Sequence, residues 1–137
     1  MSQETAIGEG SGQISGTTVL PPNGAHSRFR SNYQGTGTLA GHQVQVLITY
    51  EAESVGPDAF AGTSDALITT TDGSDSALWR GAGAGFRAAG ATQVVWRGYA
   101  ALESQSPRFA DLNGALLDVV VKVDDDGKVS YQATKWR

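Results

Sequence analysis

The sequence predicts an all-β fold, a single eight-stranded antiparallel up-and-down barrel, and three observations lead there. Val, Ile, Leu, Tyr and Trp recur in short runs that alternate with polar residues, the period of a strand with one buried face. Turn residues separate these runs at similar intervals. No stretch carries a sustained period of 3.6. Eight strands joined by short connections close most simply into a barrel, because closure removes the two unpaired edges of an open sheet. Eight is also the strand number whose interior just holds side chains or one small ligand.

Strands are expected at about 8–20, 27–39, 42–53, 59–71, 75–87, 92–103, 114–123 and 128–136. Pro21-Pro22-Asn23-Gly24 ends the first and Ala40-Gly41 the second. The third has the clearest alternation: in HQVQVLITY, Val44, Val46, Ile48 and Tyr50 share one face, with Gln43, Gln45 and Thr49 on the other. Val55-Gly56-Pro57-Asp58 and Thr71-Asp72-Gly73 bound the fourth, and Ala89-Gly90 closes the fifth. In the sixth, Val94, Trp96, Ala100 and Leu102 oppose Gln93, Val95, Arg97 and Tyr99. SPRFADLNG follows, with Ser106 as N-cap, Pro107 at the first helical position and Gly114 as a stop, so one short helical turn is expected at 107–112. GALLDVVVKV and KVSYQATKW form the last hairpin across DDDG, where Asp126-Gly127 suits a tight turn.

The fifth strand contains WRGAGAGFRAAG, residues 79–90, which resembles a phosphate-binding loop at first sight. A dinucleotide fingerprint needs a third glycine where Phe86 stands and a helix after it, and a P-loop needs Gly-Lys-Ser/Thr. Neither pattern is met. As a strand, the run puts Trp79, Gly81, Gly83 and Gly85 on one face and Leu78, Arg80, Ala82, Ala84 and Phe86 on the other. Inward glycines let the wall bend, or let a ring or ligand lie against the backbone.

A chain of 137 residues is read as one domain, with residues 1–7 as a flexible N-terminus. The absence of cysteine excludes disulfides and thiolate metal sites. MSQETAIGEGSGQ lacks the basic and apolar regions of a signal peptide, and no apolar run reaches the length of a membrane span. A cytoplasmic protein without membrane association is expected. Ten basic against fourteen acidic residues, with no Lys/Arg cluster, argue against nucleic acid as a partner.

Most polar candidates have a plain structural reading. His26 and His42 lie near turns without a partner at metal-ligand spacing, so exposed loop positions are expected. Asp124-Asp125-Asp126 lacks the alternating acidic loop and closing glutamate of an EF-hand and reads as a solvated hairpin. No metal site is predicted. Ser/His/Asp catalysis lacks a G-x-S-x-G elbow. Glu51, Glu53 and Glu103 lie near strand ends, with Arg97 and Tyr99 on one face; turned inward at a barrel mouth, a carboxylate in apolar surroundings could move protons. The alternative is an outward, solvated position for each.

Phe29, Tyr33, Tyr50, Phe60, Trp79 and Trp96 fall on faces assigned inward in separate strands. Plain core explains most of them, yet rings set among glycines fill a barrel less evenly than Leu and Ile would. The predicted ligand-binding set is therefore Phe29, Tyr33, Tyr50, Phe60, Trp79, Gly81, Gly83 and Trp96. Tyr50, Arg97, Tyr99 and Glu103 are the candidates for an inward catalytic polar group.

GEGSGQISGTTVL (8–20), TTDG (70–73), WRGAGAG (79–85), VVWRG (94–98) and RFADLNG (108–114), followed by an acidic hairpin, resemble a group of small microbial β-barrel proteins of uncharacterised function. That group is similar in turn to the allene oxide cyclase-like, calycin-type barrels. The resemblance covers about residues 8–136 and implies a central cavity, with homodimers or homotrimers among its members. It carries over no catalytic residue. Two function classes follow: a cofactor-independent cyclase or isomerase that works mainly by orienting a hydrophobic substrate, or a non-catalytic carrier that shields a hydrophobic metabolite. A filled barrel acting through its surface is the third.

Overall fold

The structure, a computed structural model, describes residues 6–135. Eight antiparallel strands form a closed barrel in sequence order: β1 (Ala6–Asn23), β2 (His26–Leu39), β3 (His42–Gly56), β4 (Ala59–Thr70), β5 (Ser76–Arg87), β6 (Val94–Glu103), β7 (Leu116–Val123) and β8 (Lys128–Lys135). β1 pairs with β8 from Ala6 to Gln13, which closes the barrel, and beyond Gln13 β1 pairs along its length with β2 alone. A 3-10 helix, Pro107–Leu112, lies between β6 and β7, with Ser106 at its N-cap. No helix among the described residues is long and apolar enough to cross a membrane.

Two boundaries differ from the sequence reading. Pro21-Pro22 does not end β1, which runs on to Asn23; the pairing with β2 slips between Leu20 and Asn23, and that irregularity accommodates residues that cannot donate to the ladder. The segment 1–7 expected to lie free of the barrel falls outside the described residues only in part: Ala6 and Ile7 belong to β1, and Ile7 packs on the core. The last predicted strand residue, 136, lies outside the described residues.

Alternation turns one residue in two inward. Val44 and Val46 of β3 and Leu117 of β7 are fully buried, with Ile68, Trp79, Ala100, Leu102, Tyr131 and Ala133 around them. The glycines fall into two seams. Gly10 pairs with Gly37 and Gly12 with Gly35 between β1 and β2; Gly83 pairs with Gly98 between β5 and β6. The seams are four strands apart, on opposite sides of the barrel. At Gly83 a Cβ would stand 2.5 Å from the Arg97 carbonyl oxygen and 3.0 Å from the Gly98 Cα, so these two strands approach more closely than side chains allow.

The two ends of the barrel differ. One carries the turns β1–β2, β3–β4, β5–β6 and β7–β8, and the other carries the 3-10 helix, the start of β1 and the end of β8. The helix plugs its end with Phe109, which is fully buried, and Leu112. Phe109 packs edge-on against His42, ring centroids 5.9 Å apart, so His42 is half-buried support for the plug rather than an exposed loop residue. Ser104 N–H donates to Asn113 Oδ1 (2.6 Å), Asn113 Nδ2 donates back to the Ser104 carbonyl (2.9 Å), and Arg108 pairs with Asp75 at 3.3 Å. These contacts stitch the plug to β6 and to the β4–β5 turn.

Candidate functional site

At the open end four rings form a closed circuit. Phe29 of β2 meets Tyr50 of β3 at 6.2 Å and Phe60 of β4 at 6.3 Å; Trp96 of β6 meets Tyr50 and Phe60, each at 6.1 Å. Three of the four contacts are edge-to-face, the arrangement favoured by ring quadrupoles. All four rings are only partly buried. Deeper in the barrel a second cluster joins Tyr33, Tyr131 and Trp79, with centroids 6.3 and 5.9 Å apart.

Between the two clusters lies a cavity of about 100 Å3. Tyr50 and Trp96 line it from above and Tyr33 and Trp79 from below, with Ile14, Ile48, Val119, Val121, Val123 and Val129 around the wall. Gly62, Gly83 and Gly98, in register across β4, β5 and β6, leave one side of that wall without side chains. Gly85 has a different role. A Cβ there would stand 2.7 Å from the Trp96 ring, so the indole is seated on the Gly85 backbone. WRGAGAG thus gives one glycine to seat a ring and another to hollow the wall.

The polar groups around this space are hydroxyls. Trp79 Nε1 donates to Ser64 Oγ at 3.3 Å, and Ser64 keeps its own proton to donate. Ser31, buried beside Tyr50, shares a 2.9 Å hydrogen bond with Thr17. Burial pushes the Tyr50 phenol up in pKa, and a hydrogen bond with Ser31 partly opposes it. Burial also pushes Tyr33 up to about 12, and its hydroxyl is buried without a partner. Tyr131 is raised by burial and, secondarily, by Tyr33 beside it. Glu51 is the one acidic residue that borders the cavity, and its carboxylate turns outward to Arg28 and Arg30.

The predicted ligand-binding residues Phe29, Tyr33, Tyr50, Phe60, Trp79, Gly81, Gly83 and Trp96 all lie on inward faces, and Tyr33, Tyr50, Trp79, Gly83 and Trp96 line the cavity itself. Of the four catalytic candidates, only Tyr50 has its side chain inside. Arg97, Tyr99 and Glu103 are exposed on the outer face of β6, because the period of two that buries Ala100 and Leu102 turns the odd-numbered neighbours out. Glu51 faces outward as well, held by Arg28 at 3.3 Å and Arg30 at 2.9 Å, and Glu53 accepts from Asn23 Nδ2 at 3.0 Å. The acidic hairpin is a turn device: Asp124 Oδ1 accepts from the N–H groups of Asp126 and Lys128.

Several site residues were missed by sequence reasoning. Tyr131 carried a signal, the alternation Val129, Tyr131, Ala133. Ser64 shares the inward face that Phe60 sets, but a serine among small residues carries no signal of a partner. Arg87 ends the inward-facing row of β5, in register with Val94, at the open end; its guanidinium lies 3.8 Å from Asp58 and its Nε is buried without a partner.

No family model and no curated protein matches the chain. Solved structures do match its fold. A protein of unknown function from Clostridium acetobutylicum superposes with a TM-score of 0.79 at 12% identity, covering 99% of this chain and 100% of that one. A conserved protein of unknown function from Rhodopseudomonas palustris gives 0.78 at 15% identity, over 97% and 96%. A beta-barrel like protein from Acinetobacter baumannii gives 0.78 at 14% identity, over 98% and 96%. The whole chain is therefore similar in architecture to small bacterial β-barrel proteins.

Proposed function

We propose that this barrel binds a compact hydrophobic molecule in its central cavity, admitted through the aromatic circuit at the open end. The observation that carries the reading is an apolar hollow beneath a circuit of partly buried aromatics, in a barrel whose opposite end is plugged. Size narrows the ligand. Pockets for drug-sized molecules run to roughly 300–1,000 Å3, whereas an apolar cavity of about 150 Å3 holds benzene. A hollow of about 100 Å3 is smaller than that, so it suits a short branched chain, or a single small ring that keeps one edge in the mouth. A longer substrate would have to displace Phe29 and Phe60 or leave part of itself in the mouth.

The second reading is catalytic, a cofactor-independent cyclase or isomerase, and it draws on the resemblance to allene oxide cyclase-like barrels. Tyr50, Ser31 and Ser64 supply hydrogen-bonding groups beside the hollow, which favours catalysis by orientation and polarisation over proton abstraction by a carboxylate. One experiment separates the readings. The pure protein is incubated with monocyclic probes such as toluene and benzaldehyde, with a long-chain fatty acid, and with a hydrophobic extract of the source cells. Native mass spectrometry then reads retention, and chromatography reads conversion. Retention of the small probes supports the binding reading, and an isomerised or dehydrated product that needs folded protein establishes the enzyme. Retention of nothing overturns both.

A further inference from the structure

We infer that the outer face of β4 and β5 is a self-association surface that packs against the same face of a second copy of this chain. Three leucines stand in register there, Leu47, Leu67 and Leu78, on three adjacent strands. They point to solvent with 52%, 43% and 55% of their surface exposed, on the side of the wall away from the core. Val19, Val55, Phe86, Tyr99 and Leu116 are also exposed, but only the leucines stand side by side in one register row, and contiguous apolar patches mark contacts where single exposed residues do not.

The pattern around the leucines selects a second copy as the occupant. A two-fold axis parallel to the strands and midway between β4 and β5 lays β4 of one molecule over β5 of the other. Residues that are neighbours in the β4–β5 ladder then face each other across the interface. Leu67 meets Leu78 of the second copy, and Asp65 meets Arg80 of the second copy. Along the rest of the two strands the matched pairs are Thr69 with Ser76, Thr63 with Ala82, Ala61 with Ala84 and, at the end of the face, Ala59 with the exposed ring of Phe86, which adds apolar surface to the contact. Within one molecule the Arg80–Asp65 pair, at 3.2 Å, has 88% and 70% of its side chains exposed and contributes little. In the dimer the same four charges alternate in sign at the centre of the interface, so the face is electrostatically self-complementary.

The extent is adequate. Four strands, β3 to β6, spaced about 4.8 Å apart and ten or more residues long, present a face on the order of 700 Å2. A stable interface buries about 800 Å2 per partner. Leu47 and Glu103 mark the rim, where the barrel curves away. The mouth lies at one end of the barrel and the face on its side, so the dimer leaves both cavities open.

The test is sedimentation equilibrium of the full chain from about 1 to 100 µM, set against Leu67→Lys and Arg80→Asp. The wild type is expected at twice the 14.3 kDa chain mass. Both variants should shift the dissociation constant upward at least tenfold while keeping the wild-type circular dichroism. The double variant Asp65→Arg with Arg80→Asp, which restores opposite signs across the axis, should recover the dimer. A monomeric wild type at 100 µM overturns the inference, as does a dimer indifferent to Leu67→Lys or a double variant no better than Arg80→Asp alone. A trimer also overturns it, because a two-fold face closes after two copies. If a variant does not fold, Leu78→Ser is the milder probe of the same row.

Discussion

The indole of Trp96 rests on the backbone of Gly85, in the space that any side chain at residue 85 would occupy. The ring that borders both the mouth and the cavity is therefore positioned by a glycine on the neighbouring strand. Gly85→Ala should push Trp96 out of its seat, costing about 1–3 kcal/mol of stability by overpacking. Urea unfolding reads the cost, and a shifted tryptophan emission in the folded state reads the displacement. Unchanged emission would show that the ring is not held there.

Trp96→Ala and Tyr50→Ala should weaken capture of a small hydrophobic probe at least tenfold, whereas His26→Ala and Asp125→Ala should leave it unchanged. The readout is thermal stabilisation, since a ligand at 100 times its dissociation constant adds about 2.7 kcal/mol to the folded state. Equal effects from all four variants would remove the ligand from the cavity.

Tyr33 carries a buried hydroxyl with no partner, beside Gly35 and the Tyr131 ring. An unsatisfied buried polar group costs about 1–3 kcal/mol, so Tyr33→Phe should be neutral or should stabilise the protein by about 1 kcal/mol in urea unfolding. A loss of 1 kcal/mol or more would mean that the hydroxyl has a partner after all.

The buried tyrosines also make the barrel sensitive to alkali. Tyr33, Tyr50 and Tyr131 have folded pKa values raised above the ordinary value of 10.0, so their neutral forms favour folding fully below pH 10. As pH rises above 10 the unfolded chain loses these protons first, and stability falls until the folded tyrosines ionise too. Unfolding followed by phenolate absorbance between pH 9 and 12 should show this decline, and Tyr33→Phe should flatten it.

Asp72 predicts the opposite slope in acid. Its carboxylate accepts from the Ser74 hydroxyl and N–H and from Thr70, which lowers its pKa well below the ordinary 3.8. Its contribution is therefore present above about pH 4 and lost as pH falls further. Asp72→Asn should destabilise the protein at pH 6 and lose that deficit toward pH 2, with the turn that holds Arg108 and the plug loosening first.

Much of this fold was legible because a meander is written locally. Each hairpin has its own turn residues, and Gly24, Gly41, Gly73, Gly90 and Gly127 all take positive φ where the sequence placed a turn. Pro21-Pro22 was misleading because proline disrupts a ladder from sequence alone, while a slip in register removes the conflict. The inward aromatics were legible from alternation. Arg97, Tyr99 and Glu103 fall on the outer face by the same period, while Arg97 and Tyr99 still border the cavity where Gly83 and Gly98 thin the wall. Ser64 and Arg87 were not legible: the inward side of Ser64 follows from Phe60 by period two, but a serine among small residues announces no partner, and a charged strand end reads as solvent-exposed.

The closing ladder between β1 and β8 pairs Ala6 with Thr134 on the plugged side of the barrel, beneath Phe109 and Leu112. The described chain thus enters at Ala6 and leaves at Lys135 at the pole opposite the aromatic mouth. A tag or fluorescent reporter attached at Ala6 or Lys135 would leave from the side away from the entrance and would not obstruct a ligand on its way in.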